Sequence, residues 1–250
     1  MCTALLVALS IGGCSAPKDT ISLTAGDKQE AIVRDGVPAL VSSKRNVVFM
    51  RPASSLQGSS ERPRFVVAML NKGRQPATLR TADIDVRSIR PAKARLKVYS
   101  HTELAEEVES KRNAQLIVGA LAGAAGAYSA AQSGYSQTTG SFARNSPYGT
   151  SYGSYSATTY NPAAAQAALN ANADRTAWNM ASIEGQAQDK LQELQATILK
   201  DHTVMPGEWH GGVIVFDAPT KGDGGTADYS ITLQFDGEEH SFSVTQKRRS

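Results

Sequence analysis

The sequence predicts an α+β protein, a β-sandwich whose chain is interrupted by an inserted α-helical hairpin. Short runs rich in β-branched and aromatic residues occupy residues 32–101 and 201–246, separated by Gly, Pro and polar turns. Between them, residues 102–200 are rich in Ala, Gln and Glu with helical spacing of their apolar positions. The 250 residues accommodate one or two domains.

In the first β-region, strands are expected at 37–40, 47–50, 65–70, 77–81, 84–89 and 96–99. Asn71-Lys72-Gly73-Arg74-Gln75-Pro76 supplies a turn between the third and fourth. Ile84, Val86 and Ser88 alternate with Asp83, Asp85 and Arg87, the pattern of a strand with one dry and one wet face. In the second region, strands are expected at 211–216, 229–235 and 240–245. Asp236-Gly237 joins the last two as a tight hairpin, because both residues tolerate the positive φ that short loops need. Tyr229, Ile231, Leu233 and Phe235 then share a face that Phe242 and Val244 can answer. Residues 247–250 form a basic tail, read as a solvated, frayed terminus.

Thr102 offers a hydroxyl cap for the first helix, with Glu103, Glu106 and Glu107 opposing the helix dipole. The second helix is marked by Asn161 as cap and Pro162 at its first position. Its residues Leu169, Ala173, Thr176, Met180, Ile183, Ala187, Leu191, Leu194 and Ile198 recur every three or four positions, a seam that calls for a partner helix. Between the helices, 133–160 is Gly-, Ser- and Tyr-rich and reads as a disordered tip.

Residues 4–11, ALLVALSI, form an uncharged apolar run that ends in Gly12-Gly13-Cys14. A run this short cannot span a hydrocarbon core, which takes about 20 residues, but it suits a signal peptide. The segment resembles the lipobox of bacterial lipoproteins, with Ile11 at the branched position and Gly12 and Gly13 as the small pair. It departs from an ordinary signal in carrying no Lys or Arg before the apolar run. The resemblance implies a signal peptide at 1–13, cleavage between Gly13 and Cys14, lipidation of Cys14, and a flexible tether over 14–31. Ser15, standing where the family's inner-membrane retention signal carries Asp, implies the outer membrane. Cys2 would leave with the signal and Cys14 would be blocked by lipid, so thiolate catalysis and cysteine zinc sites are not expected.

Residues 203–212, TVMPGEWHGG, resemble the turn and strand seen in small periplasmic sandwich domains, which makes the expected sandwich immunoglobulin-like. That likeness concerns fold and carries little functional weight.

The sharpest feature outside the signal is the small-residue ridge Gly119, Gly123 and Ala127 in LIVGALAGAAGA, which lets another backbone approach closely. The apolar span 116–131 is about 24 Å as a helix, short of a core of about 30 Å, so packing between two helices of one chain is preferred to membrane insertion. No metal is expected. Asp201, His202, Glu208 and His210 are close in sequence, but Pro206-Gly207 separates the histidines and the one-turn helical spacing is absent. No catalytic residue is expected either, since there is no G-x-S-x-G elbow, and Gly222-Asp223-Gly224-Gly225 reads as a turn. A net charge of +3 is too slight for nucleic acid.

These readings converge on a non-catalytic, lipid-anchored envelope protein without cofactors, which holds a protein partner and is compatible with homo-oligomers. The alternatives are a membrane-active oligomer built on the Gly119/Gly123 helix and, behind it, a hydrolase or metal enzyme.

Overall fold

A computed structural model describes residues 17–34 and 36–249. Gly13 and Cys14, with the rest of the expected signal, lie outside the described residues. The fold is α+β, with antiparallel sheets and two long helices. The chain begins with β1 (Lys18–Thr24), β2 (Gln29–Arg34), β3 (Val37–Ser43), β4 (Val47–Pro52) and β5 (Leu56–Gly58). There follow β6 (Arg64–Leu70), β7 (Ala77–Leu79), β8 (Ile84–Arg90), β9 (Ala94–Leu96) and β10 (Val98–Tyr99). Then come α1 (His101–Gln132), β11 (Tyr135–Ser146), β12 (Gly149–Tyr160) and α2 (Pro162–Thr197). The chain closes with β13 (His202–Val204), β14 (Trp209–Phe216), β15 (Thr226–Phe235) and β16 (Glu238–Arg248). It divides into two compact units, one running up to Glu103 and resuming at Gln195, the other Leu104–Leu194. The division falls inside the helix ends, against the 102–200 expected.

In the first unit, one sheet has the order β5-β1-β16-β15-β8-β9 and the other β10-β14-β6-β4-β3-β2. β7 and β13 form a separate ladder. Period-2 burial explains the main strands. Tyr229, Ile231, Leu233 and Phe235 are all buried, and Ile231 pairs with Phe242 and Tyr229 with Val244 across the hairpin. Asp236 and Gly237 take φ of 51° and 72° at its turn. Phe65, Val67 and Met69 of β6 and Val48 and Met50 of β4 join these residues in one apolar cluster fed by both sheets. Phe65 and Phe216 stack at 5.8 Å, and Tyr229 meets Phe216 edge-on at 5.6 Å. Gly211 and Gly212 admit close neighbours, since a Cβ on Gly212 would lie 2.7 Å from the Leu199 backbone.

Two terminal expectations differ from the structure. Residues 18–24, within the expected tether, form β1 between β5 and β16. Asp19 and Ile21 point inward there, so a strand with a partly polar inner face had the look of a linker. At the other end, Lys247 and Arg248 of the expected basic tail belong to β16 and pair with Thr20 and Asp19.

In the second unit, α1 and α2 are antiparallel partners joined by β11 and β12. Residues 133–160 were expected to be disordered, yet the structure gives a twelve-pair antiparallel ladder from Tyr135↔Tyr160 to Ser146↔Gly149, closed at Pro147-Tyr148. Its Ser- and Thr-rich strands carry no hydrophobic alternation that sequence reading could register.

Candidate functional site

The helical unit is built from its caps upward. Ser100 and Glu103 form a reciprocal capping box: the Ser100 N–H donates to Glu103 Oε2 at 2.9 Å, and the Glu103 N–H donates to Ser100 Oγ at 3.2 Å. The cap is therefore Ser100, not the expected Thr102. Lys97 Nζ bonds the other Glu103 oxygen at 2.8 Å, and with Ser100 it holds this carboxyl down at about 2. Asn161 Oδ1 accepts the Ala164 N–H at 3.1 Å, with Pro162 as the first helical residue. Both helices are thus started by their own sequence.

The small-residue ridge is used between the two helices of one chain. A Cβ on Gly123 would lie 2.7 Å from Thr176 Cγ2, and one on Gly126 would lie 2.1 Å from Asn172 Oδ1. Asn172 Nδ2 also donates to the Gly123 carbonyl at 3.0 Å. Gly119 is looser, with Ile183 Cδ1 at 3.9 Å. Gly126, not singled out from the sequence, packs more tightly than Gly119, and nothing ties Ala127 to a close contact.

The rest of α1 turns its apolar residues outward. Ile117, Val118, Leu121 and Tyr128 are exposed, Leu121 by 67%, and Trp178 on α2 is 71% exposed. By length and composition α1 is long and apolar enough to cross a membrane, and its apolar window is wholly unburied. The sequence reading missed how far the charge gap extends. From Asn113 to Ala173, through half of α1, the whole β11–β12 ribbon and the start of α2, Arg144 is the sole charged residue. Across the helical hairpin, Gly119, Gly123 and Gly126 of this stretch meet Ile183, Thr176 and Asn172 of α2. Asp174 and Arg175 follow on α2 between the levels of Gly126 and Gly123.

The ribbon has almost no interior. All its residues are exposed except Gly140 and Gly153, which are half-buried under cross-strand rings. Phe142 lies over Gly153 and Tyr155 over Gly140, so a Cβ at either glycine would come within 2.6 Å of ring carbon. At the base, the Tyr135 and Tyr160 rings meet at 4.7 Å.

Chemistry-bearing groups of the first unit are arranged differently. The His202 and His210 rings stack at 4.0 Å and 18°, with Glu208 Oε1 3.7 Å from His202 Nε2. Parallel rings aim their lone pairs side by side and do not converge on one ion. Glu208 Oε2 accepts the Met205 N–H at 2.8 Å, and Asp201 accepts from the Thr81 N–H and hydroxyl. Among the described residues no group of three or more His, Cys, Asp or Glu side chains could hold a metal. Burial, then the His202 charge, lowers the His210 pKa. Deeper inside, fully buried Asp19 receives Lys221 and, at 2.6 Å, Gln246 Nε2, while Lys221 reaches Ser59. Burial pushes the Asp19 carboxyl up, but its bonds with Lys221, Gln246 and Ser59 win and hold it below the ordinary value. This cluster ties β1 to the loop before β15. Gly222 to Gly225 form a turn, with φ of 87° and 71° at Gly224 and Gly225.

No protein-family model matches the chain, and no curated protein or solved structure is similar to it.

Proposed function

We propose that this chain is a lipid-anchored, non-catalytic component of a bacterial envelope assembly: Cys14 holds it to the membrane and the helical unit holds a protein partner. The observation that carries this reading is the nearly uncharged hairpin with outward Ile117, Val118, Leu121 and Trp178. Exposed apolar patches rimmed by polar surface mark interaction sites. The two six-stranded sheets serve as an immunoglobulin-like sandwich that carries the hairpin as an insertion. The lipobox resemblance supports an outer-membrane location.

A photo-crosslinking residue at Leu121, in living cells, is expected to form an adduct with an envelope protein. Absence of adducts there and at Ile117 sinks the reading. Cys14→Ser is expected to release the protein from the membrane fraction.

The membrane-active alternative is favoured by one observation, the length and exposed apolar window of α1. Against it, α2 would carry Asp174 and Arg175 into hydrocarbon with α1, at about 2.5–3.5 kcal/mol each at a span's centre. Resistance to carbonate extraction in a Cys14→Ser background, lost with Gly119→Leu and Gly123→Leu, would establish it.

A further inference from the structure

The β11–β12 ribbon ends in two open edges of equal length. Neither strand has another strand partner among the described residues. In an antiparallel pair, alternate residues direct their N–H and C=O groups away from the partner, so each twelve-residue edge offers a row of unused backbone groups. Proteins guard such edges with lysines, inward charges, proline or short strands. Here the strands are long, Arg144 is their one charge, and the only proline, Pro147, sits in the turn. A two-stranded hairpin without a core is marginal in water, and the rings of Phe142 and Tyr155, which lie over their facing glycines, remain about half exposed.

We propose that the ribbon pairs edge to edge with the ribbons of further copies of this chain, β11 of one against β12 of the next, in a closed ring. The choice of a second copy as occupant follows from the two edges. A foreign strand added to β11 leaves β12 open, whereas repetition of the same ribbon satisfies both, and closure leaves no edge at all. The near absence of charge removes the repulsion that would keep identical ribbons apart and offers nothing for an oppositely charged partner to recognise. This inference rests on the interaction reading above and names the partner at one part of that surface.

The test uses full-length protein extracted from membranes in mild detergent and sized by mass photometry. A single oligomer is expected, collapsing to monomer in the Ser141→Lys, Ser154→Lys double variant, with helical circular dichroism retained. Cysteines provide a second measurement that does not depend on the lysines folding. One tagged chain carries a cysteine at Thr139, Ser141 or Ala143, and a differently tagged chain carries one at Ser154, Ser156 or Thr158. Mixed disulfide dimers are expected, without dimers between two β11 cysteines. A monomeric wild-type protein, an oligomer indifferent to the lysines, or crosslinks between like strands would overturn the proposal. So would a monomer that releases dye from phospholipid vesicles, which would assign the ribbon to a bilayer. If the ring fails while the Leu121 adduct persists, the interaction reading stands without it.

Discussion

The two units of this chain are stabilised by opposite means. The first buries Phe65, Phe216, Tyr229, Phe235 and Phe242 almost completely in a cluster shared by two sheets. In the second, α1 and α2 together bury only Leu104, Ala165, Ala187 and Leu194, while larger apolar side chains face outward. One unit is governed by what it removes from water, the other by caps, helix-forming residues and the close approach of small side chains. A surface that natural selection leaves apolar without using it for folding is available for contact.

That contrast can be broken most directly by truncation. Phe65→Ala is expected to cost about 3–5 kcal/mol in urea denaturation, and Leu121→Ala less than about 0.5 kcal/mol. Comparable costs would show that Leu121 belongs to a core after all. Next in size is the buried pair. Lys221→Met leaves the Asp19 carboxylate without its cation and is expected to cost about 3–5 kcal/mol at neutral pH. Because the folded carboxyl titrates below its ordinary value near 3.8, its stabilisation is present above that pH and lost as pH falls through the folded value. The variant should therefore show a shallower acid limb in a pH series of denaturation midpoints.

Smaller effects sharpen the description of the helical unit. Gly123→Val is expected to destabilise by about 1–3 kcal/mol, since its side chain meets Thr176. Gly119→Ala has room beside Ile183 and should gain up to about 1 kcal/mol from helix propensity. Thermal melts of helical circular dichroism that move both variants alike would contradict the packing described. Smallest is Ser100→Ala, expected to cost about 1 kcal/mol by removing one half of the capping box.

Sequence reading succeeded where the cause of structure is local. The β15–β16 hairpin was legible because Asp236-Gly237 and the alternation of Tyr229, Ile231, Leu233 and Phe235 sit within one short segment. Asn161 and Pro162 announced α2 for the same reason. It failed where the cause is distant or lacks hydrophobic contrast. β1 owes its place to β16, whose Arg248 pairs with Asp19 from the far end of the chain. The β11–β12 ribbon hid among Ser, Thr and Gly, and Ser100 was passed over for its neighbour Thr102. The ridge at Gly119 and Gly123 was visible in the sequence, but Gly126 gained its meaning from Asn172 on the opposite helix.

The placement of β1 also sets a leash. Pro17 already accepts a backbone hydrogen bond from Ser59 at 2.9 Å. Were Cys14 the lipidated residue, the three peptide links between it and Pro17 could reach no more than about 11 Å. The sheet that contains β1 would ride at the headgroups, unable to swing far from them. Tension on the anchor would load the β1–β16 ladder along its length, so that its hydrogen bonds shear together instead of opening one by one. A strand mistaken for a tether would then be the mechanical mount of the whole protein.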